Sequence, residues 1–283
     1  MRVLWGIAIL GALVGCAQGG SLVTAKPPDL ALNGPMEQGG LIVGRTAPGI
    51  EVSLDGAPLM VDGQGRFVFG FDRDAPVAAK LEARGPGGYD EIRTLNVAPR
   101  TWDIQKIDGL PPEQVNPTPA ELEQIKREAV LKRAARKPDT QGSWFTEHFI
   151  WPAQGSVSGV FGSQRILNGE ARSPHYGLDI AAPEGAPVTA PAGGIVRLAA
   201  TEFYFEGGLV FIDHGHGLVS YMMHMSRVDV HAGQEVKQGE TIGAVGKTGR
   251  ATGPHLHWGM FWLDAHIDPQ LLVPAQATVP PKE

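Results

Sequence analysis

His255 and His257 stand two residues apart in Gly253-Pro254-His255-Leu256-His257-Trp258. In an extended strand alternate side chains share a face. Both imidazoles then point one way, while Leu256, Trp258, Met260 and Trp262 point the other way, as a core face should. Paired imidazoles are poor core material, because every ring nitrogen needs a partner. A metal ion meets that need, and His is the commonest protein ligand; a pair of structural histidines is the competing reading. Upstream, Ser173 to Asp179 contains His175 and Asp179 in the pattern H-x-x-x-D. Pro174, Gly177, Pro183 and Gly185 argue for a turn leading into a short strand rather than a helix. His175, Asp179 and His257 together offer two nitrogens and a carboxylate oxygen, with a fourth position left for water. That is the composition of a hydrolytic zinc site, not of a closed structural one. A cysteine-free set also suits a compartment where thiols oxidise.

The remaining histidines carry less. His214 and His216 sit in the glycine-rich loop Asp213-His214-Gly215-His216-Gly217 and read as turn or structural residues. His148, His231 and His266 have no partner at a telling spacing. Gly246-Lys247-Thr248 lacks the glycine that a phosphate loop needs five residues before Gly246, where Thr241 stands. Ser220 and Ser226 lie near His224, but no nucleophile elbow surrounds them. Phe203-Tyr204-Phe205 is expected either to wall a groove or simply to pack.

The elements that must position these residues read as strands. Among 283 residues there are 38 Gly and 23 Pro, and only 19% are charged, which favours short strands and tight turns over long helices. The fold class is mainly β. Leu209 to Ile212, Val219 to Met225, Thr241 to Val245 and His255 to Trp262 are the strands expected around the histidines. If His224 shares a sheet surface with His255, strict alternation places Ser220 and Met222 on its face. Net charge is −6, which leaves no basic field for nucleic acid.

Residues 31–100 read as a β-sandwich of the immunoglobulin-like kind. Ile50, Val52 and Leu54 alternate ahead of the turn Asp55-Gly56; Phe67, Phe69 and Phe71 alternate; Leu81/Ala83 and Leu95/Val97 mark two more strands. It is expected to act as a spacer or interaction module, restricting the groove or docking a partner. A linker spans 101–143, with a helix at about 119–136. Thr118 and Glu121 form a capping box there, Pro119 takes the first helical position, and Leu122, Ile125 and Ala129 make a narrow apolar stripe. Lys132, Arg133, Arg136 and Lys137 crowd its last turns. The chemistry falls in 144–274, followed by a tail at 275–283.

The first residues read as a targeting segment. Arg2 precedes an apolar run from Val3 to Val14, too short to span a membrane as a mature helix. Leu13-Val14-Gly15-Cys16 resembles the lipobox of bacterial lipoproteins. The resemblance implies cleavage after residue 15, lipidation of Cys16, and a tether at 16–30. Ala17, rather than Asp, implies the outer membrane of a Gram-negative bacterium, and hence a periplasmic enzyme anchored through Cys16. As the single cysteine, Cys16 allows no intrachain disulfide.

His175-x3-Asp179, Tyr221-Met222-Met223-His224 and Gly249-Arg250-Ala251-Thr252-Gly253-Pro254-His255-Leu256-His257 together resemble the three motifs of the M23 (LytM/lysostaphin-type) zinc metallopeptidases. The resemblance covers about 151–269 and includes Phe161-Gly162, Val188-Thr189-Ala190-Pro191 and Asp268-Pro269. It implies a lysostaphin/LytM-like antiparallel sheet and one Zn2+ held by His175, Asp179 and His257. It also implies a catalytic pair, His224 and His255, with the general base of the two left open. The implied substrates are the stem peptides of bacterial peptidoglycan, cut by a D,D-endopeptidase. The alternative is a non-enzymatic wall-bound activator of another hydrolase; all five positions are filled, which argues against it. A peptidase of Gly-rich proteins outside the wall is a third reading, and a regulatory protein partner is left unspecified.

Overall fold

The computed structural model describes residues 30–107, 118–137, 140–167 and 169–276. The lipobox-like segment, the lipidation site expected at Cys16, most of the expected tether and the end of the tail lie outside them.

The first seven strands are β1 (Ala31–Asn33), β2 (Leu41–Arg45), β3 (Glu51–Leu54), β4 (Ala57–Pro58), β5 (Arg66–Gly70), β6 (Ala78–Gly85) and β7 (Tyr89–Asn96). They form two antiparallel sheets in the orders β1-β2-β5 and β4-β3-β6-β7. Ile42, Phe67 and Phe69 of the first sheet pack on Val52, Leu54, Leu81 and Ala83 of the second. This is the connectivity of an immunoglobulin-like sandwich, with the fourth strand beside the third. In β5 the expected alternation gives way to four buried residues in a row, Phe67, Val68, Phe69 and Gly70. Both faces of β5 are covered: the phenylalanines face the sandwich core, while Val68 and Leu41 join the core of the following domain.

Strand β8 (Ile104–Ile107) runs parallel to β10 (Gln164–Leu167), which also pairs with β11 (Glu170–Ala171). The chain leaving the sandwich is therefore stitched into the next domain by backbone hydrogen bonds. Helix α1 (Pro119–Ala135) begins at the expected capping box, with Thr118 N–H donating to the Glu121 carboxylate at 2.6 Å and Thr118 Oγ1 accepting from Glu121 N at 3.4 Å. Its apolar stripe is not its packing face, since Leu122 is exposed and Ala129 with it. The helix instead docks with polar side chains on a backbone loop. Glu128 accepts from Tyr204 N at 3.0 Å, Gln124 donates to Glu202 O at 3.3 Å, and Lys132 pairs with Glu206.

The large sheet contains β9 (Ser156–Gly159), β12 (Leu178–Ala181), β14 (Gly194–Phe203), β15 (Gly207–Asp213), β16 (Leu218–Met225), β18 (Glu235–Val236), β20 (Leu256–Trp262) and β21 (Ala265–Ile267). Its order is β18-β14-β15-β16-β20-β12-β9, with β21 on β20, and every pairing is antiparallel. A small sheet of β13 (Pro187–Thr189), β19 (Thr241–Ala244) and β17 (Arg227–Val228) closes over one side. Period-2 patterning assigns the faces. Ile180, Val210, Ile212, Met222, Leu256, Trp258 and Met260 enter the main core. Leu209, Phe211, Val219, Tyr221 and Phe261 line the opposite face, which Ala135 of α1 helps to cover. Among the described residues no helix is long and apolar enough to cross a membrane.

Candidate metal centre

The two histidines of H-x-H occupy the second face. His255 bridges Gly246 just before β20, and His257 lies inside β20 opposite Asp179 of β12 on one side and Met223 of β16 on the other. Asp179 thus reaches His257 through strand register, across 78 residues of sequence. His175 arrives from the turn before β12. Gly177, in the same turn, leaves room for the neighbouring ring, since a Cβ there would lie 2.4 Å from His257 Nε2.

Three donor atoms meet. His175 Nε2 lies 3.0 Å from Asp179 Oδ1 and 3.0 Å from His257 Nδ1, and His257 Nδ1 lies 2.9 Å from Asp179 Oδ1. Tetrahedral zinc with bonds of about 2.0–2.2 Å requires donor atoms roughly 3.3 Å apart, so the triangle fits that ion with little adjustment. Tautomer chemistry agrees. A carbonyl oxygen only accepts, so the 3.0 Å contact between His175 Nδ1 and Val160 O places the proton on Nδ1. In the neutral ring the lone pair then sits on Nε2, aimed at the other two donors. Among the described residues this is the one cluster of three or more His, Cys, Asp or Glu side chains placed to share a metal.

The electrostatics favour the ligating forms. Burial pushes the Asp179 carboxyl up, but the rings of His175 and His257 bonded to it outweigh burial and hold it well below the usual carboxylate range. Burial likewise keeps His257 neutral, against the opposing pull of Asp179. An ionised carboxylate and neutral imidazoles are the states that bind a divalent cation.

His224 and His255 complete the constellation without joining the triangle. Their rings lie 4.7 Å apart, and His255 Nε2 is 3.8 Å from Asp179 Oδ1. Each spends its Nδ1–H on a backbone carbonyl: His224 on Thr248 at 2.9 Å and His255 on Gly253 at 2.8 Å. In its neutral form each ring then presents a lone pair at Nε2. Burial lowers the His224 pKa to about 4, with the nearby His255 and His257 adding to the effect.

Alternation misplaces His224. It predicts a shared face with Ser220 and Met222, yet Met222 is in the main core and Ser220 is bonded to His214. His224 adopts φ 66°, a left-handed conformation uncommon outside glycine. That twist turns its ring toward His255. Two backbone contacts hold it: His224 N donates to Glu206 O at 2.8 Å, and Thr248 N reaches His224 O at 3.4 Å. Thr248 Oγ1 in turn donates to Met225 O and accepts from Gly208 N. Gly246-Lys247-Thr248 thus serves the histidine, not a phosphate.

The other residues fall where expected. His214 is fully buried, with Nδ1 on Gly193 O at 2.7 Å and Nε2 on Ser220 Oγ at 2.8 Å. His216 is buried against Phe145 with Nδ1 on Met60 O, and His148 and His231 are exposed. Phe205 packs under Arg250, whose guanidinium lies 4.4 Å from the ring centre. The carbonyls of Val160, Thr248 and Gly253 are the functional groups that sequence reasoning missed. A backbone acceptor has no side-chain signature; the turn-forming glycines beside each one are the nearest available signal.

Comparison with known proteins places this geometry. Residues 173–269 match Peptidase family M23. A solved structure from Pseudomonas aeruginosa, assigned to peptidase M23, is similar over 85% of this chain and 96% of that one, with 33% identity and a TM-score of 0.65. Peptidoglycan DD-endopeptidase ShyC of Vibrio cholerae is 37% identical over 123 residues, covering 43% of this chain and 28% of that protein. DD-carboxypeptidase/endopeptidase Mpg of Neisseria meningitidis serogroup B is 38% identical over 109 residues, covering 38% of this chain and 24% of that protein. These matches span under a third of the length of the two curated relatives.

Proposed function

This chain belongs to peptidase family M23, and on that premise we propose that it is a zinc-dependent endopeptidase that cuts the peptide cross-links of bacterial peptidoglycan. The carrying observation is the triangle of His175, Asp179 and His257 with two further imidazoles turned toward it. These three residues would hold one zinc ion. Zinc held there would supply Lewis acidity, making water nucleophilic near neutral pH and polarising a scissile carbonyl.

The chain's own residues do the rest. While neutral, a ring with Nδ1–H committed to a carbonyl can only accept a proton at Nε2. Burial keeps His224 unprotonated at neutral pH, with its pKa lowered to about 4, so its Nε2 is an acceptor there. Whichever of His224 and His255 takes the water's proton becomes a donor, able to deliver it to the leaving amine. The fixed carbonyls of Thr248 and Gly253 keep both rings oriented through that exchange. Presence of all five side chains supports an enzyme over a non-catalytic activator.

The substrate class rests on the names of the peptidoglycan-acting relatives. The location rests on the lipobox-like Leu13-Val14-Gly15-Cys16. An enzyme tethered through Cys16 to the periplasmic face of an outer membrane would work beside its polymer. The test is digestion of purified sacculi with the soluble chain beginning at residue 17, and identification of the products by mass spectrometry. Conversion of cross-linked muropeptides to uncross-linked ones is expected; intact cross-links with a metal-loaded enzyme would refute the reading.

A further inference from the structure

The backing of His175 extends into the sandwich. Its Nδ1–H is fixed by Val160 O, and the same short turn grips its backbone: Gly162 N donates to His175 O at 2.8 Å, and His175 N donates to Ser163 O at 2.7 Å. Residues 160–163 therefore act as a clip around His175, and the position of the clip sets where Nε2 points.

The sandwich holds the clip. Arg73, in the loop after β5, is buried, and its Nε donates to Gly162 O at 3.0 Å. Trp102, just past the last sandwich strand, lies flat against the same glycine. A Cβ on Gly162 would sit 2.0 Å from the indole, and φ is 82° there, so no other residue fits without displacing the clip. The indole is itself gripped, with the guanidinium carbons of Arg73 and Arg100 at 5.1 and 4.6 Å from its centre. Phe161 meets its edge at 5.7 Å.

Asp72, the neighbour of Arg73, works on the other flank of His175. Its Oδ1 accepts from His266 N at 3.1 Å and from His266 Nδ1 at 3.3 Å. The His266 ring stacks on Tyr176 at 3.6 Å. The Tyr176 carbonyl accepts from Tyr221 OH at 2.8 Å, and Tyr221 stacks on His257 at 5.7 Å. Two adjacent sandwich residues thus brace both sides of one ligand and reach a second.

We propose that the N-terminal sandwich is a working part of the metal centre, with Arg73 and Trp102 as positioning residues that hold His175 through the Val160–Ser163 turn. The inference rests on His175 being a zinc ligand. It makes the sandwich a brace for the site, where the sequence alone suggested a spacer, a gate or a docking module. Partners behind a metal ligand commonly govern affinity by 10–100-fold.

The test measures zinc affinity by chelator competition on the soluble two-domain chain, and the absorption spectrum of its cobalt form. Arg73→Gln, Arg73→Leu and Trp102→Ala are compared with Leu81→Ala, which damages the sandwich core far from the clip. All are read below their unfolding temperatures. Arg73→Leu and Trp102→Ala should weaken zinc about 10–100-fold and shift the cobalt spectrum. Arg73→Gln, which keeps an N–H donor, should lose less. Leu81→Ala should lower the unfolding temperature yet bind zinc as wild type does. Wild-type affinity in Arg73→Leu, or an equal loss in Leu81→Ala, would overturn the proposal while leaving the metal centre intact. A wild-type chain that binds no zinc would overturn the proposed function as well.

Discussion

The strands and loops of the large sheet hold two kinds of histidine, and they behave oppositely. His214 is fully buried with both ring nitrogens bonded, one to Gly193 O and one to Ser220. His175, His224 and His255 each have Nδ1 committed to a backbone carbonyl, and the Nε2 atoms of His175 and His255 then lie 3.0 and 3.8 Å from Asp179 Oδ1. Burial does not separate the groups, for His224 and His257 are also buried. What separates them is where the second nitrogen goes. A ring closed on both sides is a rivet; a ring closed on one side, facing others of its kind, is a site.

The largest expected effect comes from removing the oxygen corner of the triangle. Asp179→Ala should lose bound zinc and reduce cross-link cleavage at least about a thousandfold, read by metal analysis and muropeptide release. Next, His224→Ala and His255→Ala should keep the metal and still lose about 10²–10⁴ in rate. A variant of either that lost zinc would place that ring among the ligands and break the distinction.

The rivet should fail differently. His214→Ala leaves a cavity and orphans Ser220 Oγ and Gly193 O, costing roughly 2–4 kcal/mol of stability with zinc content unchanged. The comparison sharpens with pH. Burial lowers the His214 pKa to about 4 from an ordinary 6.5. Between these values the unfolded chain binds the extra proton, so stability rises with pH across that window. The contribution of His214 is full above pH 6.5 and is lost progressively toward pH 4, by about 3 kcal/mol. Urea unfolding of wild type and His214→Gln at pH 7 and pH 4.5 should show the variant with the shallower dependence. The smallest effect lies away from both groups: Thr118→Ala should remove about 1 kcal/mol through the α1 cap and leave zinc and cleavage alone.

Side-chain chemistry at short range was legible. Alternation placed His255 and His257 together and put Leu256, Trp258 and Met260 in the core. The capping box began α1 at the expected residue. Where backbone conformation or distant docking decides, the pattern failed. His224 leaves its strand's alternation because its φ is positive. Leu122 stays exposed because α1 meets carbonyls and amides at the end of β14 and the turn after it, which reward polar side chains. Val68 breaks the expected in-out rhythm because a second domain covers the outer face of β5. Arg73 gave no sign of its role, since its partner is a carbonyl 89 residues away.

The most direct test of the account returns to the H-x-H pair. Zinc bound per chain is measured for wild type, His255→Ala and His257→Ala, purified side by side with the same metal exposure. A metal held by His257 and not by His255 gives about one equivalent in wild type and in His255→Ala, and none in His257→Ala. Equal zinc in the two variants would contradict it.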